Sequence, residues 1–437
     1  MEKIIQQQVS SFMMEYFSME ILTGYMIPAL ISTAIFHYLL LVKDTSKRKW
    51  KACGRFRFQR RDSLETVVKN EAPVTSETYL VIGIGFIGME IVNALLARGE
   101  TKVRGFDRKK PRQQIDPKYE DIFTFIEGDV HDEAALDAAL DGVDVVYSTF
   151  SLLRYYESLI FQYEESYNVN VKGMEMVIAA CLRKNIKFFV HTSTCTVNVV
   201  PRTCGLAIMN EDGPYVTPEN SLNHYFLSKA LQEKIALGAN GRVTEDGSSL
   251  KTVSIRPCGV FGANDGILTE RHMTQGYVDI IYGTGGCDYV YVENVVWGHL
   301  LAEKGLRENE NKVGGEAFVI AQDEPTTNED FYRGLKKYYD ARTGESFGIN
   351  YLPIHLLTMI AKLLETYSSF TRKRIPGLAA LVTPSCLELM RLKFTFTCEK
   401  ATKILGYKPL YNLEEAMDKT VHDFLKIKLE KERKKTA

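Results

Sequence analysis

Residues 79–88 read Tyr-Leu-Val-Ile-Gly-Ile-Gly-Phe-Ile-Gly, and this stretch decides the fold. A short apolar run leads into a GxGxxG glycine turn, and a helical pattern of apolar residues follows it through Leu96. The first glycine permits a tight turn, the second lets the backbone approach a pyrophosphate, and the third lets helix pack on strand. The sequence therefore predicts a strand, a turn and a helix that open a dinucleotide site, with these cofactor-binding residues: Gly83, Gly85, Phe86, Ile87 and Gly88.

Acidic residues follow the next two predicted strands. Asp107 ends the strand over 101–106, where a carboxylate accepts hydrogen bonds from the adenosine ribose and repels a 2′-phosphate. Arg108 comes directly after it and is suited instead to accommodate that phosphate. Asp129 follows the strand over 123–126 and is suited either to bond the adenine edge or to cap a helix. The sequence therefore predicts NAD as the cofactor, with NADP as the alternative.

Strand and helix patterns go on alternating along the chain. Continuous apolar strands separated by helices indicate a parallel sheet that is covered on both faces. The predicted fold class is α/β, a doubly wound Rossmann sheet with a smaller C-terminal substrate-binding lobe. The elements behind this prediction are strands at 78–82, 101–106, 123–126, 143–147 and 187–191, and helices at 134–140 and 169–182.

A hydroxyl cluster and a Tyr–Lys pair are the candidate catalytic residues. Thr192, Ser193 and Thr194 follow the strand at 187–191, at the sheet edge where such folds bind ligands. Tyr225 and Lys229 are four apart on a predicted helix, so they share one face. Oxidising an alcohol needs a base for the hydroxyl proton, and a nearby ammonium makes tyrosine a better base. A hydroxyl from this strand would position the substrate oxygen, and Lys229 would also hold the nicotinamide ribose.

Motifs beyond the glycine turn and the YxxxK pair carry a family resemblance. They are NVNVKG at 168–173, GANG at 238–241, RPCGVFG at 256–262, YVENVVWGH at 291–299, FTF at 394–396 and LGYKP at 405–409. From about residue 78 to 427 the chain resembles the 3β-hydroxysteroid dehydrogenase family of extended short-chain dehydrogenases. The resemblance places Pro257 beside the nicotinamide. Two positions depart from the family pattern: Ile82 replaces a frequent glycine, and Phe150 replaces a small residue.

The resemblance implies an NAD(P)-dependent oxidoreductase that converts a 3β-hydroxyl of a steroid or sterol to a ketone by hydride transfer. It makes Tyr225 the general base, Lys229 its partner, and Thr194 the third member, with Thr192 and Ser193 as alternatives. One branch of the family then isomerises a steroid double bond. Another is a decarboxylating 4α-carboxysterol 3-dehydrogenase, which needs a cation for the carboxylate. A non-catalytic NAD(P)-binding sensor is a further alternative, although such sensors usually lack the tyrosine or lysine.

Residues 21–42 carry no charged side chain, and this length suffices to cross about 30 Å of hydrocarbon. We expect a single transmembrane anchor there, preceded by a short lumenal tail at 1–20. Nine lysines and arginines against Asp44 alone in residues 43–61 place the following segment in the cytosol. The predicted organisation continues with a basic and polar linker at 43–76, an NAD(P)-binding domain at 77–345, and a C-terminal lobe and basic tail at 346–437.

The end of the chain suggests a location. Lys434 and Lys435 occupy the fourth and third positions from the C-terminus and resemble a dilysine signal for retention in the endoplasmic reticulum. A solvated basic tail is the alternative. We therefore expect a protein of the endoplasmic reticulum membrane with a cytosolic catalytic domain. The apolar stretch at 351–367 is predicted either to lie on the membrane as an amphipathic helix or to be a core helix.

Composition excludes several classes of protein. The formal net charge of −1 gives no electrostatic case for nucleic acid. Eight cysteines without a close CxxC pair argue against a zinc site and a small disulfide scaffold, so we expect no metal. The expected partners are a sterol or steroid and membrane lipid, and a homodimer is left open.

Overall fold

The strand that leads into the glycine turn belongs to a seven-stranded parallel sheet in the computed structural model, which describes residues 63–113, 115–200, 208–281 and 285–436. The spatial order is β7-β6-β5-β4-β1-β2-β3. Its strands are β1 (Tyr79–Ile82), β2 (Val103–Asp107), β3 (Phe123–Glu127), β4 (Val145–Ser148), β5 (Phe188–Thr192), β6 (Lys251–Pro257) and β7 (Ala317–Ile320).

The order of the strands reverses at β1. Tyr79 pairs with Val103 of β2 on one side and with Val145 of β4 on the other. In a doubly wound sheet, a crevice opens outside the carboxyl ends of the strands at such a reversal, and ligands bind there. The fold thus places the glycine turn after β1 and the hydroxyl cluster after β5 on one edge.

Helices cover both faces of the sheet. Helices α2 and α7 pack on one face, and α3, α4 and the C-terminal half of α5 pack on the other. Apart from the four-residue helix Tyr163–Ser166, the α-helices of the described residues are α1 (Leu64–Glu71), α2 (Phe86–Arg98), α3 (Glu133–Leu140), α4 (Gly173–Arg183), α5 (His224–Gly238), α6 (Glu270–Gln275), α7 (Val292–Glu308), α8 (Glu310–Val313), α9 (Asn328–Thr343), α10 (Ile354–Thr371), α11 (Pro384–Arg391), α12 (Glu399–Leu405) and α13 (Leu413–Thr436).

Short strand pairs accompany the main sheet. Two are parallel and one is antiparallel. They join Gly259–Phe261 to Tyr289–Tyr291, Tyr277–Ile281 to Gly348–Leu352, and Gly286–Cys287 to Thr326–Thr327.

The α/β class and the predicted strands of the sheet are confirmed, with boundaries within two residues of those expected. One predicted helix differs in kind. The segment expected at 169–182 begins as a π-helix, Tyr167–Lys172, and becomes the regular helix α4 only at Gly173. The physical reason lies at the site, where the π-helix turns Asn170 inward, as described below.

The segment predicted as a linker ends in structure. Helix α1 occupies residues 64–71, and its Leu64, Val67 and Val68 are buried in the core. The i, i+3, i+4 spacing of these apolar residues gives the helix one buried face. The predicted lumenal tail at 1–20 and transmembrane anchor at 21–42 lie outside the described residues. Among the residues that are described, no helix is both long and apolar enough to cross a membrane.

The C-terminal region is shared between two compact units. Pro353–Pro384 forms the smaller one, and the other described residues form the larger. The stretch at 351–367 is therefore not one helix, because Leu352 ends a strand and α10 begins at Ile354 after Pro353. The lobe predicted at 346–437 is divided between the units, and its role in substrate binding stays a prediction.

Candidate active site

The three glycines of the turn after β1 have different structural surroundings. Gly83 has a φ of +89°, and a Cβ there would come within 2.5 Å of the backbone nitrogen of Phe150. A Cβ on Gly88 would overlap the carbonyl oxygen of Gly83. A Cβ on Gly85 would meet nothing within 4 Å. Close packing therefore excludes a larger residue at Gly83 and Gly88, whereas the space beside Gly85 is open.

A cleft that is open to solvent lies beside this turn at the edge of the sheet. Gly83, Gly85, Asp107 and Asp129 of the predicted cofactor residues line it, together with Arg108. The other predicted residues lie outside its lining: Phe86, Ile87, Gly88, Lys229 and Pro257.

The two acidic residues of the cleft have partners. One carboxylate oxygen of Asp107 accepts a hydrogen bond from the Ile84 N–H at 2.8 Å, which ties the end of β2 to the glycine turn. Asp129 accepts from the backbone N–H of His131 at 3.0 Å and lies 3.8 Å from Arg108. Burial opposes these contacts, which together hold the pKa of Asp129 below its ordinary value.

Phe150 does not fill this cleft with its ring. The residue lines the cleft, but it is 8% exposed and belongs to the core beneath the sheet. A Cβ on Gly173 would lie 3.2 Å from the Phe150 ring, so the ring packs against that glycine.

Two of the three consecutive hydroxyls after β5 are held by the scaffold. Thr192 Oγ1 lies 2.7 Å from Nε2 of the buried His299, and Nδ1 of that ring lies 2.8 Å from the Val295 carbonyl oxygen. A carbonyl only accepts, so Nδ1 carries the proton and Nε2 accepts from Thr192. Burial lowers the pKa of His299 to about 4, which keeps the ring neutral.

Ser193 belongs to a buried ionic network. Its hydroxyl donates to the carboxylate of Glu233, and that carboxylate also lies 2.9 Å from Nε of Arg256. Arg256 continues to the hydroxyl of Tyr215 at 3.0 Å. Serine, carboxylate and guanidinium are each less than 5% exposed. The network joins β5, α5 and β6 below the site and leaves Ser193 no free role toward a substrate.

Thr194 is the hydroxyl that faces the tyrosine. Helix α5 begins at His224 because the Asn223 side chain caps it, accepting from the Phe226 N–H at 2.9 Å. Tyr225 therefore lies in the first turn, with its ring half-buried and its hydroxyl end enclosed. Burial raises the pKa of Tyr225 above its ordinary value, and the neighbouring hydroxyls of Ser151 and Thr194 oppose this.

The lysine of the pair is buried beside β5. Lys229 is 1% exposed, and its Nζ lies 2.7 Å from the Thr192 carbonyl oxygen and 2.6 Å from Oε1 of Gln232. Burial lowers the pKa of Lys229 to about 7, and the Glu233 carboxylate opposes this. Both partners are backbone or side-chain oxygens without charge.

The π-helix joins the loop after β4 to α5. Asn170 accepts from the Leu152 N–H at 2.7 Å and donates to the Ser228 hydroxyl at 2.9 Å. Ser228 lies between Tyr225 and Lys229 in the sequence. π-Helical turns are frequent at functional sites, and here the turn ties the loop that carries Ser151 to helix α5.

Ser151 and Gln232 are site residues that motif spacing does not reveal. A weak signal exists for Ser151, because it follows β4 at the same carboxyl edge as the glycine turn and Thr194. Gln232 gives no signal in the sequence. Its position one helical turn after another buried residue is common to most buried residues of a helix.

A parallel sheet wound in this order, with the glycine turn after β1 and the Tyr–Lys pair on α5, defines an enzyme of the short-chain dehydrogenase type. The chain belongs to the 3-beta hydroxysteroid dehydrogenase/isomerase family, whose model matches residues 80–351. It is therefore an oxidoreductase of that family.

The chain is also similar to individual proteins. The chain is 32% identical to the bovine (Bos taurus) sterol-4-alpha-carboxylate 3-dehydrogenase, decarboxylating, over 82% of its own length and 95% of that protein. It is 31% identical to the uncharacterized protein 052L of Frog virus 3 (isolate Goorha), over 77% of its length and 96% of the viral protein. A solved structure, MoeE5 in complex with UDP-glucose and NAD, shares the fold with a TM-score of 0.59 at 19% identity, covering 80% of this chain and 99% of MoeE5.

Proposed function

We propose that this protein is an NAD-dependent dehydrogenase that oxidises the 3β-hydroxyl of a steroid or sterol to a ketone, with Tyr225 as the base. One observation carries the proposal: the Tyr225 hydroxyl lies beside that of Thr194 at the carboxyl edge of the sheet, on the helix that also carries Lys229. Family membership supports the reaction class.

The cleft suits NAD. The open space beside Gly85 is where a pyrophosphate would approach the turn, and the Asp107 carboxylate lines the same cleft, where ribose hydroxyls would bond it. NAD, when bound, supplies the acceptor for the hydride. Lys229 would hold the nicotinamide ribose, and Pro257 at the end of β6 would lie beside the nicotinamide.

The side chains of the site divide the remaining work. Thr194 orients the substrate hydroxyl toward Tyr225, which takes its proton as the carbon–hydrogen bond breaks. Burial disfavours the phenolate that this step needs, so a positive charge close by must stabilise it. The Lys229 ammonium supplies that charge, since the network of Glu233 and Arg256 beside it is already internally neutralised.

A second candidate substrate is a sterol with a 4α-carboxylate, as in the name of the bovine relative. The oxidised product would be a β-keto acid, which loses carbon dioxide readily. Arg271 favours this candidate. Among the arginines that the structure describes, it alone is neither exposed nor engaged in a hydrogen bond or ion pair.

Arg271 also lies near the loop that reaches the tyrosine. Its charge lowers the pKa of Tyr155, although burial dominates and raises that pKa to about 12. The loop starts at Ser151 beside Tyr225, and its Glu157 carbonyl accepts from the N–H of His224 at 2.9 Å. A guanidinium in this position that has no hydrogen-bond or ion-pair partner among the described residues is suited to a substrate carboxylate.

We further propose attachment to the membrane of the endoplasmic reticulum through residues 21–42. Helix α10 supports contact with lipid, because Met359, Leu363 and Phe370 are exposed along one face while Ile360 and Leu364 are buried. Apolar side chains on the open face of an amphipathic helix fit the interfacial region of a bilayer.

The test is NAD reduction by the detergent-solubilised full-length chain, offered a Δ5-3β-hydroxysteroid and a 4α-carboxysterol in separate assays. Turnover of either, with a loss of at least about 100-fold in Tyr225→Phe and unchanged NAD affinity, would support the proposal. Tight NAD binding without turnover of any hydroxysterol would instead favour a sensor. Wild-type activity in Tyr225→Phe would eliminate the proposed base.

A further inference from the structure

Gln232 bridges the lysine of the active site to the loop after β4. The residue lies one helical turn after Lys229 and is 0% exposed. Its Oε1 lies 2.6 Å from Nζ of Lys229, and its Nε2 lies 3.3 Å from the carbonyl oxygen of Phe150. The amide therefore reaches both the catalytic helix and the strand end that borders the cofactor cleft.

Donor and acceptor rules fix the orientation of this amide. A carbonyl oxygen cannot donate, so the NH₂ group of Gln232 must face Phe150 and its oxygen must face Lys229. The Thr192 carbonyl oxygen, 2.7 Å away, is the second acceptor for the ammonium. An ammonium has three donors, so one proton of Lys229 remains for a ribose hydroxyl of the cofactor.

Both hydrogen-bond acceptors of the Lys229 ammonium are uncharged, whereas a buried lysine is usually paired with a carboxylate. A carboxylate in the place of Gln232 would satisfy the same hydrogen bond but would cancel the positive field that the tyrosine needs. The other titratable groups near Lys229 leave this field largely intact. Glu233 is paired with Arg256, and burial keeps His191 and His299 neutral.

We propose that Gln232 is a positioning residue, which holds the Lys229 ammonium between the ends of β4 and β5 while leaving its charge uncancelled toward Tyr225. This inference rests on the proposed function, in which that charge stabilises the phenolate. It goes beyond that function by assigning the placement of the charge to an amide that no Tyr–Lys motif includes.

The experiment compares Gln232→Glu and Gln232→Met with the wild-type full-length protein. The first variant keeps an acceptor but adds an anion, and we expect the acid limb of the pH–rate profile to move up by about 1 pH unit. The second keeps the volume but removes both hydrogen bonds. We expect it to lower kcat at least about 10-fold and to raise the KM for NAD, because the ammonium loses its fixed position.

A second readout does not need turnover. In protein labelled with ¹³Cε-lysine, the Lys229 resonance, assigned by its loss in Lys229→Met, titrates at the pKa of the ammonium. We expect this pKa to rise in Gln232→Glu and to fall in Gln232→Met. The matched control is Gln322→Met, which removes a buried glutamine that accepts from the N–H of Tyr291 at 3.1 Å and lies outside the site. It should change thermal stability alone.

The outcomes distinguish a failure of the positioning role of Gln232 from a failure of the proposed function. If both Gln232 variants lose stability but keep the wild-type pH profile and lysine titration, the positioning role is refuted. If the wild type binds NAD but oxidises no hydroxysterol, the proposed function fails, while the lysine titration still decides whether Gln232 controls the pKa of Lys229.

Discussion

Thr192 and His299 are joined by a hydrogen bond of 2.7 Å, in which the threonine hydroxyl donates to a neutral ring. This pairing removes from the substrate site one hydroxyl that the local sequence offers as a candidate. Ser193 is likewise held by Glu233. The structure therefore favours Thr194 over its two neighbours as the residue that orients a substrate hydroxyl.

Substitutions of the three hydroxyls should separate these roles. We expect Thr194→Val to reduce kcat/KM about 100-fold, and Thr194→Ser to retain most activity, because only the hydroxyl is needed. Thr194→Val should also cost about 1 kcal/mol of unfolding free energy, because the Thr194 hydroxyl accepts from the Thr196 N–H at 3.3 Å. Thr192→Val should instead cost about 1–2 kcal/mol of unfolding free energy, since it leaves a buried ring nitrogen unpaired. Steady-state kinetics and denaturant unfolding measure both effects. Equal activity in Thr194→Val and wild type would contradict the assignment.

The glycine turn offers a second comparison. Gly88→Ala should lower thermal stability strongly, because the added methyl group overlaps the Gly83 carbonyl oxygen. Gly85→Ala should leave stability nearly unchanged, because its Cβ meets no protein atom within 4 Å, but should weaken NAD binding by blocking the approach of the pyrophosphate. Thermal melting without NAD and calorimetric titration with NAD distinguish them. A Gly85→Ala protein with wild-type NAD affinity would mean that the cofactor lies elsewhere.

The burial of Asp288 predicts that the free energy of unfolding depends on pH. It is 2% exposed, one carboxylate oxygen accepts from the Phe396 N–H at 2.5 Å, and the other is buried without a hydrogen bond among the described residues. Burial raises its pKa from 3.8 to about 6. The folded state then holds a proton that the unfolded state releases between about pH 4 and 6, so this contribution to stability is lost as the pH rises through 6.

Asp288→Asn should remove this dependence. We expect the variant to be more stable than wild type at pH 7 by about 1–2 kcal/mol, because a buried unpaired charge is replaced by a neutral amide. Below pH 4 the two proteins should differ little. Chemical unfolding at several pH values measures the effect. A wild-type slope between pH 4 and 6 that persists in the variant would assign the titration to another group.

The surroundings of Arg271 predict a preference for a substrate that carries a carboxylate. If its guanidinium receives a carboxylate, Arg271→Met should raise the KM for a 4α-carboxysterol at least about 10-fold, the worth of one charge-assisted hydrogen bond. The KM for a neutral 3β-hydroxysteroid should stay the same, and Arg271→Lys should lose less than Arg271→Met. Arg242→Met is the control, because Arg242 is exposed. An equal loss for acidic and neutral substrates would show that Arg271 supports the fold and not the carboxylate.

Local patterns predicted most of the framework correctly. The glycine turn, the apolar strands and the Tyr–Lys spacing each depend on residues close in sequence, whose physics is set by backbone conformation and periodicity. The π-helix at 167–172 and the helix at 64–71 were missed, because both depend on packing against distant elements.

The sequence by itself determined a dinucleotide turn at Gly83–Gly88, a sheet edge that carries three hydroxyls, and a tyrosine and lysine on one helix face. Only the tertiary structure decided which hydroxyl faces Tyr225, because His299 and Glu233, which hold the other two, lie 107 and 40 residues away from their partners. It also placed Ser151 beside Tyr225, and Gln232 between Lys229 and the carbonyl oxygen of Phe150. Hydrogen-bond partners in a buried site are set by which elements meet in space, and that information is not contained in the spacing of any one motif.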